Sequence, residues 1–153
     1  LEFVAASDVY KRQAEILLNY AEAMVNAYGD PDYTGSYSLS ARDAVNQVRN
    51  RGDVKMPAYP ADMSKDAFLK RLKNERRVEF AFEGQRFWDL RRWKELDDMQ
   101  NIYKVKVVKQ TDGTIQYTKA LHATYNIQDK MYFYPISNTE LFKNHKLVQN
   151  TGW

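Results

Sequence analysis

Glu75-Arg76-Arg77-Val78-Glu79-Phe80-Ala81-Phe82-Glu83-Gly84-Gln85-Arg86-Phe87-Trp88-Asp89-Leu90-Arg91-Arg92-Trp93 mixes charges and aromatic rings at a density that a solvent-facing helix does not need. Glu75 and Glu79 lie one helical turn apart, and Arg76 lies above Phe80 and Glu83. Gly84 breaks the pattern. Beyond it Asp89 lies within reach of Arg86 and Arg92, while Phe87, Leu90 and Trp93 form a stripe. Charges interleaved with Phe and Trp sit close to apolar surface, and half-buried charges persist only when paired and hydrogen-bonded. Three readings compete. Two carboxylates roughly 5–10 Å apart do acid/base work in glycosidases, but Arg76 and Arg77 on the same helix hold Glu75 and Glu79 ionised and leave no proton donor. Ten Lys and Arg against five Asp and Glu between Ser64 and Lys94 make phosphate binding conceivable. The acids, however, interleave with the bases and leave no clean basic stripe. An internal ion-pair lattice that locks two helices around a corner at Gly84 fits the pattern best.

Upstream, Ala14 to about Tyr28 is Ala-rich and free of Pro and Gly. Ile16, Leu17, Tyr20, Ala21, Met24 and Ala27 recur at helical intervals, and Gly29-Asp30-Pro31 stops the run. Asp32 to Ser38 is polar loop sequence carrying Tyr33 and Tyr37. Ser40 caps a second predicted helix to about Arg51, with Ala41, Ala44, Val45 and Val48 on one side and Gly52 past its end. A connector with Pro57 and Pro60 follows. Ser64 then caps a third helix, Lys65 to about Phe82, and a fourth runs from about Arg86 to Leu96. Two antiparallel helices, a Pro-bearing loop and two more helices imply stacked hairpins of the tetratricopeptide-like kind, although the two pairs share no sequence repeat.

The last third changes character. Ile102 to Val108 alternates apolar and basic residues at period two. Asp112-Gly113 and Ile115 to Thr118 complete a predicted β-hairpin. Met131 to Tyr134 reads as a short extended run closed by Pro135, and Ser137 caps a final helical turn through Phe142. The expectation is a mainly α chain with one small β-hairpin.

Composition narrows the classes. The chain has 153 residues, 44% hydrophobic and 28% charged, with a net charge of +3. That is the make-up of a globular chain, and the surplus is too small to mark a nucleic-acid binder. The absence of cysteine excludes a disulfide scaffold, a thiol nucleophile, a Cys-type zinc site and an iron–sulfur cluster. His122 and His145 stand alone, with no third ligand at metal spacing, and no cofactor is implied. No apolar run reaches the roughly 20 residues of a membrane-spanning helix. Eleven Tyr, seven Phe and three Trp are many for such a length; cores and sugar-stacking surfaces both use them.

Leu1 to about Gln13 is expected to lie outside the fold. It lacks a leading methionine and a signal-type apolar stretch. Its Asp8-Val9-Tyr10-Lys11-Arg12-Gln13 is also what one reading frame of a common sequencing-library transposon end encodes. The natural N-terminus, with any signal peptide or lipid-attachment cysteine, is then expected to be missing.

The 75–93 run resembles the signature of the SusD/RagB family, the nutrient-binding outer-membrane lipoproteins that partner TonB-dependent transporters. Four further elements resemble the family in order. Leu18-Asn19-Tyr20-Ala21-Glu22-Ala23 is similar to its L-x-Y-A-E-A helix, and Ala44 to Arg51 to its A-hydrophobic-N-x-V-R-x-R helix. Tyr134-Pro135-Ile136-Ser137 with Glu140 and Asn144 is similar to its P-I-P-x-x-E-hydrophobic-x-x-N element, with Ser137 in place of the second proline. Gln149-Asn150-Thr151-Gly152-Trp153 is similar to its Q-N-P-G-Y ending, with Thr151 for Pro and Trp153 for Tyr. The resemblance implies that residues 14–153 are the C-terminal part of a larger, mostly helical protein. It implies a lipid-anchored protein on the outer-membrane surface that captures oligosaccharides or other nutrients, without catalysis, and hands them to a SusC-like transporter. Glu75, Arg76, Arg77, Glu79, Gly84, Arg86, Asp89 and Arg91 are expected to be architectural.

For ligand contact the residues themselves offer loop aromatics: Tyr33 and Tyr37 beside Gly35, and Tyr59 between Pro57 and Pro60. Sugar rings bind aromatic faces while polar neighbours read hydroxyls. Loop tyrosines also commonly cover core edges. A generic helical scaffold that binds a protein partner and no small ligand is the alternative, since it would use the same helices.

Overall fold

The computed structural model describes residues 2–52 and 54–153, with side chains from Gln13 onward. The chain divides into two compact units, one up to Arg86 and one from Phe87 to Trp153.

The first unit packs α1 (Glu2–Tyr28), α2 (Ala41–Arg49) and α3 (Lys65–Glu79). In α1 the buried stripe is Ala14, Leu18, Ala21 and Val25, with Met24 beside it, and Ile16 is left 67% exposed. Steps of four, three and four residues return to one face of a helix. On α2 the apolar side is the expected one, with Ala41, Ala44, Val45 and Val48 buried, and α3 adds Phe68 and Leu72. Local chemistry sets the starts. Ser40 Oγ accepts the Asp43 N–H while the Asp43 carboxylate reaches back to the Ser40 N–H, a capping box, and Ser64 Oγ accepts the Ala67 N–H. Helix α3 ends at Glu79, short of the expected Phe82. Phe80 turns its ring into the core at 3% exposure, and Phe82, at φ 65°, stands out in solvent. The expectation for Leu1 to Gln13 rests on the side chains of residues 1–12, which lie outside the described residues.

The second unit contains most of α4 (Gln85–Trp93), strands β1 (Asn101–Lys109) and β2 (Ile115–Thr124), and the short helix α5 (Asn138–Lys143). The strands form an antiparallel hairpin with Tyr103 opposite Leu121, Val105 opposite Lys119 and Val107 opposite Tyr117. Its turn is closed where Asp112 Oδ1 accepts the Thr114 N–H and Oγ1–H at 2.9 and 2.7 Å, with Gly113 at φ 85°. Strand β2 runs six residues past the expected Thr118, because pairing with β1 continues across a register shift at Ile102/Tyr103 that leaves His122 without an opposite residue. Met131–Tyr134 is not one extended run. A 3-10 turn covers Asp129–Tyr132, closed by the Phe133 N–H on the Lys130 carbonyl, and the chain extends only from Phe133.

The closing residues pair with the Tyr134-Pro135-Ile136 segment through side-chain amides. Gln149 Oε1 accepts the Ile136 N–H at 2.7 Å and its Nε2 donates to the Ile136 carbonyl at 2.9 Å. Asn150 Nδ2 donates to the Tyr134 carbonyl at 2.6 Å, and the Trp153 indole N–H to the Lys130 carbonyl at 3.0 Å.

Candidate ligand-binding site

The loop between α1 and α2 gathers aromatic rings on a braced backbone. Gly29, at φ 78°, ends α1 in the left-handed conformation that glycine adopts without a side-chain penalty. The Asp32 N–H then bonds to Asp30 Oδ1 at 2.9 Å. Arg42 of α2, 7% exposed, donates from Nε and Nη2 to the two Asp32 oxygens at 2.5 and 2.7 Å, and its backbone N–H bonds to the Pro31 carbonyl at 3.0 Å. A bidentate guanidinium–carboxylate pair fixes orientation as well as distance. Arg42 holds the Asp32 carboxyl below its ordinary range, and Asp32 raises the Arg42 guanidinium in return. At the far end the Tyr20 hydroxyl donates to the Leu39 carbonyl at 2.6 Å.

On this loop Tyr33 stacks on Tyr28 with ring centres 4.2 Å apart and planes at 26°. Tyr37 lies 6.2 Å from Tyr28, their hydroxyls 3.3 Å apart. That hydroxyl contact raises the Tyr28 phenol above its ordinary value. Exposures of 44% at Tyr28, 39% at Tyr33 and 48% at Tyr37 leave part of each side chain open to solvent. Gly35, at φ 53°, lies under the Tyr33 ring, where a Cβ would stand 2.5 Å from the Tyr33 hydroxyl oxygen. Tyr28 went unremarked in the sequence because it ends a helix; its position directly before Gly29 was the available signal.

Tyr59 is placed elsewhere, at 6% exposure in the core of the first unit. Its ring meets Phe68 edge-on at 5.7 Å, its N–H bonds to Asn46 Oδ1 at 2.8 Å and its hydroxyl donates to Glu75 Oε2 at 3.3 Å. Burial, with the Glu75 carboxylate beside it, pushes this phenol well up. A cleft of about 850 Å³ also opens in this unit, with Leu17, Leu39 and Met56 offering apolar wall and Asn46, Gln47 and Asn50 offering carboxamides. Carboxamides both donate and accept, so they suit uncharged hydroxyl groups.

The signature residues lie on α3, on α4 and on the turn between them. Glu75 pairs with Arg49 Nη1, and Glu79 takes both Nη atoms of Arg51, so the neutralising arginines come from the end of α2 and the residues after it rather than from Arg76 and Arg77. Adjacent helical positions point in different directions, which is why Arg77 is exposed while Arg76 is 3% exposed. Arg76 donates to Asn19 Oδ1 at 2.5 Å and lies 5.2 Å over the Phe80 ring. In the second unit Asp89, 3% exposed, accepts from Arg92 Nε at 2.9 Å. Arg91 donates to the Met131 carbonyl and lies 4.2 and 4.7 Å over the rings of Phe87 and Tyr134. Arg86 is half-buried. Gly84, at φ 77°, has open space where a Cβ would stand, so it answers a backbone requirement alone. Within the first unit, the arginines that meet Glu75 and Glu79 thus come from far upstream in the chain. Among the described residues no three His, Asp or Glu side chains group as a metal site.

The model of the SusD family matches residues 5–153. The chain is similar to the crystal structure of a SusD-like protein (BF3747) from Bacteroides fragilis NCTC 9343, with 31% identity, a TM-score of 0.74, and coverage of 92% of this chain and 24% of that one. It is also similar to the solved structure of the protein BT4246, with 29% identity, a TM-score of 0.66, and coverage of 92% of this chain and 23% of that one. The chain thus spans about a quarter of the length of these solved relatives. No relative is found among curated proteins.

Proposed function

The chain belongs to the SusD family, and from that premise we propose that it is part of a nutrient-binding lipoprotein that captures an oligosaccharide at the outer-membrane surface. Its partner in this reading is a SusC-like TonB-dependent transporter, and its membrane attachment is a lipid anchor outside the present sequence. The observation that carries ligand binding is the Tyr28–Tyr33–Tyr37 cluster on a loop pinned by Arg42 and Asp32. Aromatic faces take the apolar faces of sugar rings, and the phenol groups exchange hydrogen bonds with sugar hydroxyls. A loop already ordered loses little entropy on binding, so more of the contact energy appears as affinity. The cleft lined by Gln47 and Asn50 offers further carboxamides to sugar hydroxyls, apart from the tyrosine loop. In this reading the protein binds and releases its ligand without chemical turnover, and Glu75 and Glu79 serve as ion-pair partners of Arg49 and Arg51.

The test is a glycan array on the complete parent protein, followed by titration of the best ligand into Tyr33→Ala and Tyr37→Ala. Affinity is expected to fall roughly tenfold or more with each, since an aromatic contact contributes about 1 kcal/mol beyond its buried area. Unchanged affinity in both would remove the loop from the site. Release of reducing ends by the parent, abolished in Glu75→Gln, would overturn the non-catalytic reading.

A further inference from the structure

Charge is spread unevenly along a chain that holds 23 Lys and Arg. From Ala14 to Ala41 it carries none, while Glu15, Glu22, Asp30 and Asp32 all fall in that stretch. Helix α1 therefore has no basic residue in its last turn. Its C-terminal end, equivalent to roughly half a negative charge, meets the tyrosine loop without a counter-charge. Tyr28 is the last residue of that helix, Asp30 follows two positions on, and Asp32 directly precedes Tyr33. Arg42 is the cation beside Asp32, and it is already engaged. It is 7% exposed, its Nε and Nη2 bond to Asp32, and its Nη1 is closed off from solvent. Asp32 raises this guanidinium most, and Asp62 and Asp30 add to the effect, so two carboxylates act on it beyond its own partner.

The rings meet that field as a flat surface. Tyr28 and Tyr33 stack with planes at 26°, so one face of each is covered and the pair cannot wall in a ligand from several sides. A flat aromatic surface suits the apolar face of a sugar ring. Ring faces are themselves negative, so they attract an ammonium and repel an anion. A uronate or a sulfated sugar laid here would find no guanidinium or ammonium on the loop to replace its lost water, and an unpaired charge is costly to desolvate. Resting on the oligosaccharide reading above, we propose that the tyrosine loop selects its ligand by charge. It takes neutral sugars and sugars bearing a free amine, and it excludes sugars bearing a carboxylate or a sulfate.

The test titrates the complete parent protein, Tyr33→Ala and Tyr37→Ala with oligosaccharides matched except in charge. These are galactose against galacturonate oligomers, glucose against glucosamine oligomers, and each neutral form against its O-sulfated form. Binding lost in either variant belongs to the loop. Within it the neutral and amino members should bind roughly fivefold or more tightly than the acidic ones, since each unit charge several ångströms away contributes roughly two- to threefold in water. Raising the salt to about 0.5 M, which shortens the screening length to roughly 4 Å, should narrow the gap. Asp30→Asn keeps the oxygen that accepts the Asp32 N–H and should raise the acidic-to-neutral affinity ratio roughly two- to threefold. Loop-dependent binding that favours uronates or sulfated sugars would overturn selection by charge and leave the loop as an oligosaccharide site. So would a preference that neither salt nor Asp30→Asn shifts. Binding that survives both tyrosine variants, or no binding to any member of the set, would instead remove the loop as a sugar site and the selectivity with it.

Discussion

Arg76 and Arg77 are neighbours of one chemical type in opposite surroundings, and truncating each to alanine tests whether the signature arginines act through burial. Arg76, 3% exposed, donates to Asn19 and covers the Phe80 ring, whereas Arg77 is exposed. Arg76→Ala removes a charged hydrogen bond of about 1.5–3 kcal/mol and a desolvated cation–π contact of roughly 0.5–2 kcal/mol. Asn19 is itself exposed, so water satisfies the oxygen left behind. A loss of about 3 kcal/mol lowers Tm by roughly 6–12 °C in a chain of this size. Arg77→Ala should stay within about 0.5 kcal/mol of the parent. Helical circular dichroism followed through thermal and urea unfolding gives both values, and Arg76→Lys, which keeps the charge but not the planar stacking, should fall between them. Coincident melts for Arg76→Ala, Arg77→Ala and the parent would refute the reasoning, because the buried guanidinium would then contribute nothing that an exposed one does not.

Gly35→Ala should cost on the order of 1 kcal/mol, from a side chain forced to φ 53°, and should displace the Tyr33 ring from Tyr28; aromatic proton shifts of the two rings read this directly, and unmoved shifts would contradict it. Asp32 is held below its ordinary carboxyl value by Arg42. Its contribution is therefore complete above about pH 4, where the unfolded carboxyl ionises, and is lost as pH falls through the lower folded value. Urea titrations of parent and Asp32→Asn at neutral pH and below pH 4 should converge on acidification, and a gap that persists in acid would count against the pair. If Leu1 to Gln13 lies outside the fold as the sequence leads one to expect, deleting residues 1–13 should leave Tm unchanged, because such a segment frays at almost no free-energy cost; a clear drop would place it within the fold.

Features written in neighbouring residues were legible from the chain. The Ser40 and Ser64 caps, the Asp112-Gly113 turn and the apolar side of α2 each depend on side chains within four positions. The family was legible too, since five ordered elements carry it, although the SusD family model matches from residue 5 and so begins ahead of Ala14. Partnerships across tens of residues were not. Nothing local in Glu75 or Glu79 says that Arg49 and Arg51 will meet them, because those contacts exist only once α2 and α3 pack. The tyrosine loop was half legible: Tyr33 and Tyr37 stood out as loop aromatics, whereas Tyr28 joins them only because Gly29 turns the chain. Tyr59 shows the converse, a loop tyrosine drawn into the core by Phe68 and Asn46. The 3-10 turn at Asp129–Tyr132 escaped because the β-forming Tyr132, Phe133 and Tyr134 that follow favour an extended reading, and nothing local marks the closing Lys130–Phe133 bond.

The tail from Gln149 has a consequence for how the chain tolerates change. Its anchorage to Ile136 and Tyr134 uses carboxamide groups at the ends of side chains, so the intervening backbone from Asn144 to Val148 needs no fixed rise or twist to deliver them. Lengthening the connector beyond its turn, where the Leu147 N–H bonds to the Asn144 carbonyl and the Lys146 N–H to Asn144 Oδ1, costs loop-closure entropy of about 0.6 kcal/mol for each doubling. Each of the bonds at Gln149 and Asn150 returns about 1 kcal/mol. Insertions there should be absorbed without shifting the final residues, whereas shortening Gln149 by one methylene, as in Gln149→Asn, would pull both of its bonds off Ile136 at once. The tail therefore behaves as a clasp whose fit depends on side-chain reach, leaving the length of the cord behind it free to vary.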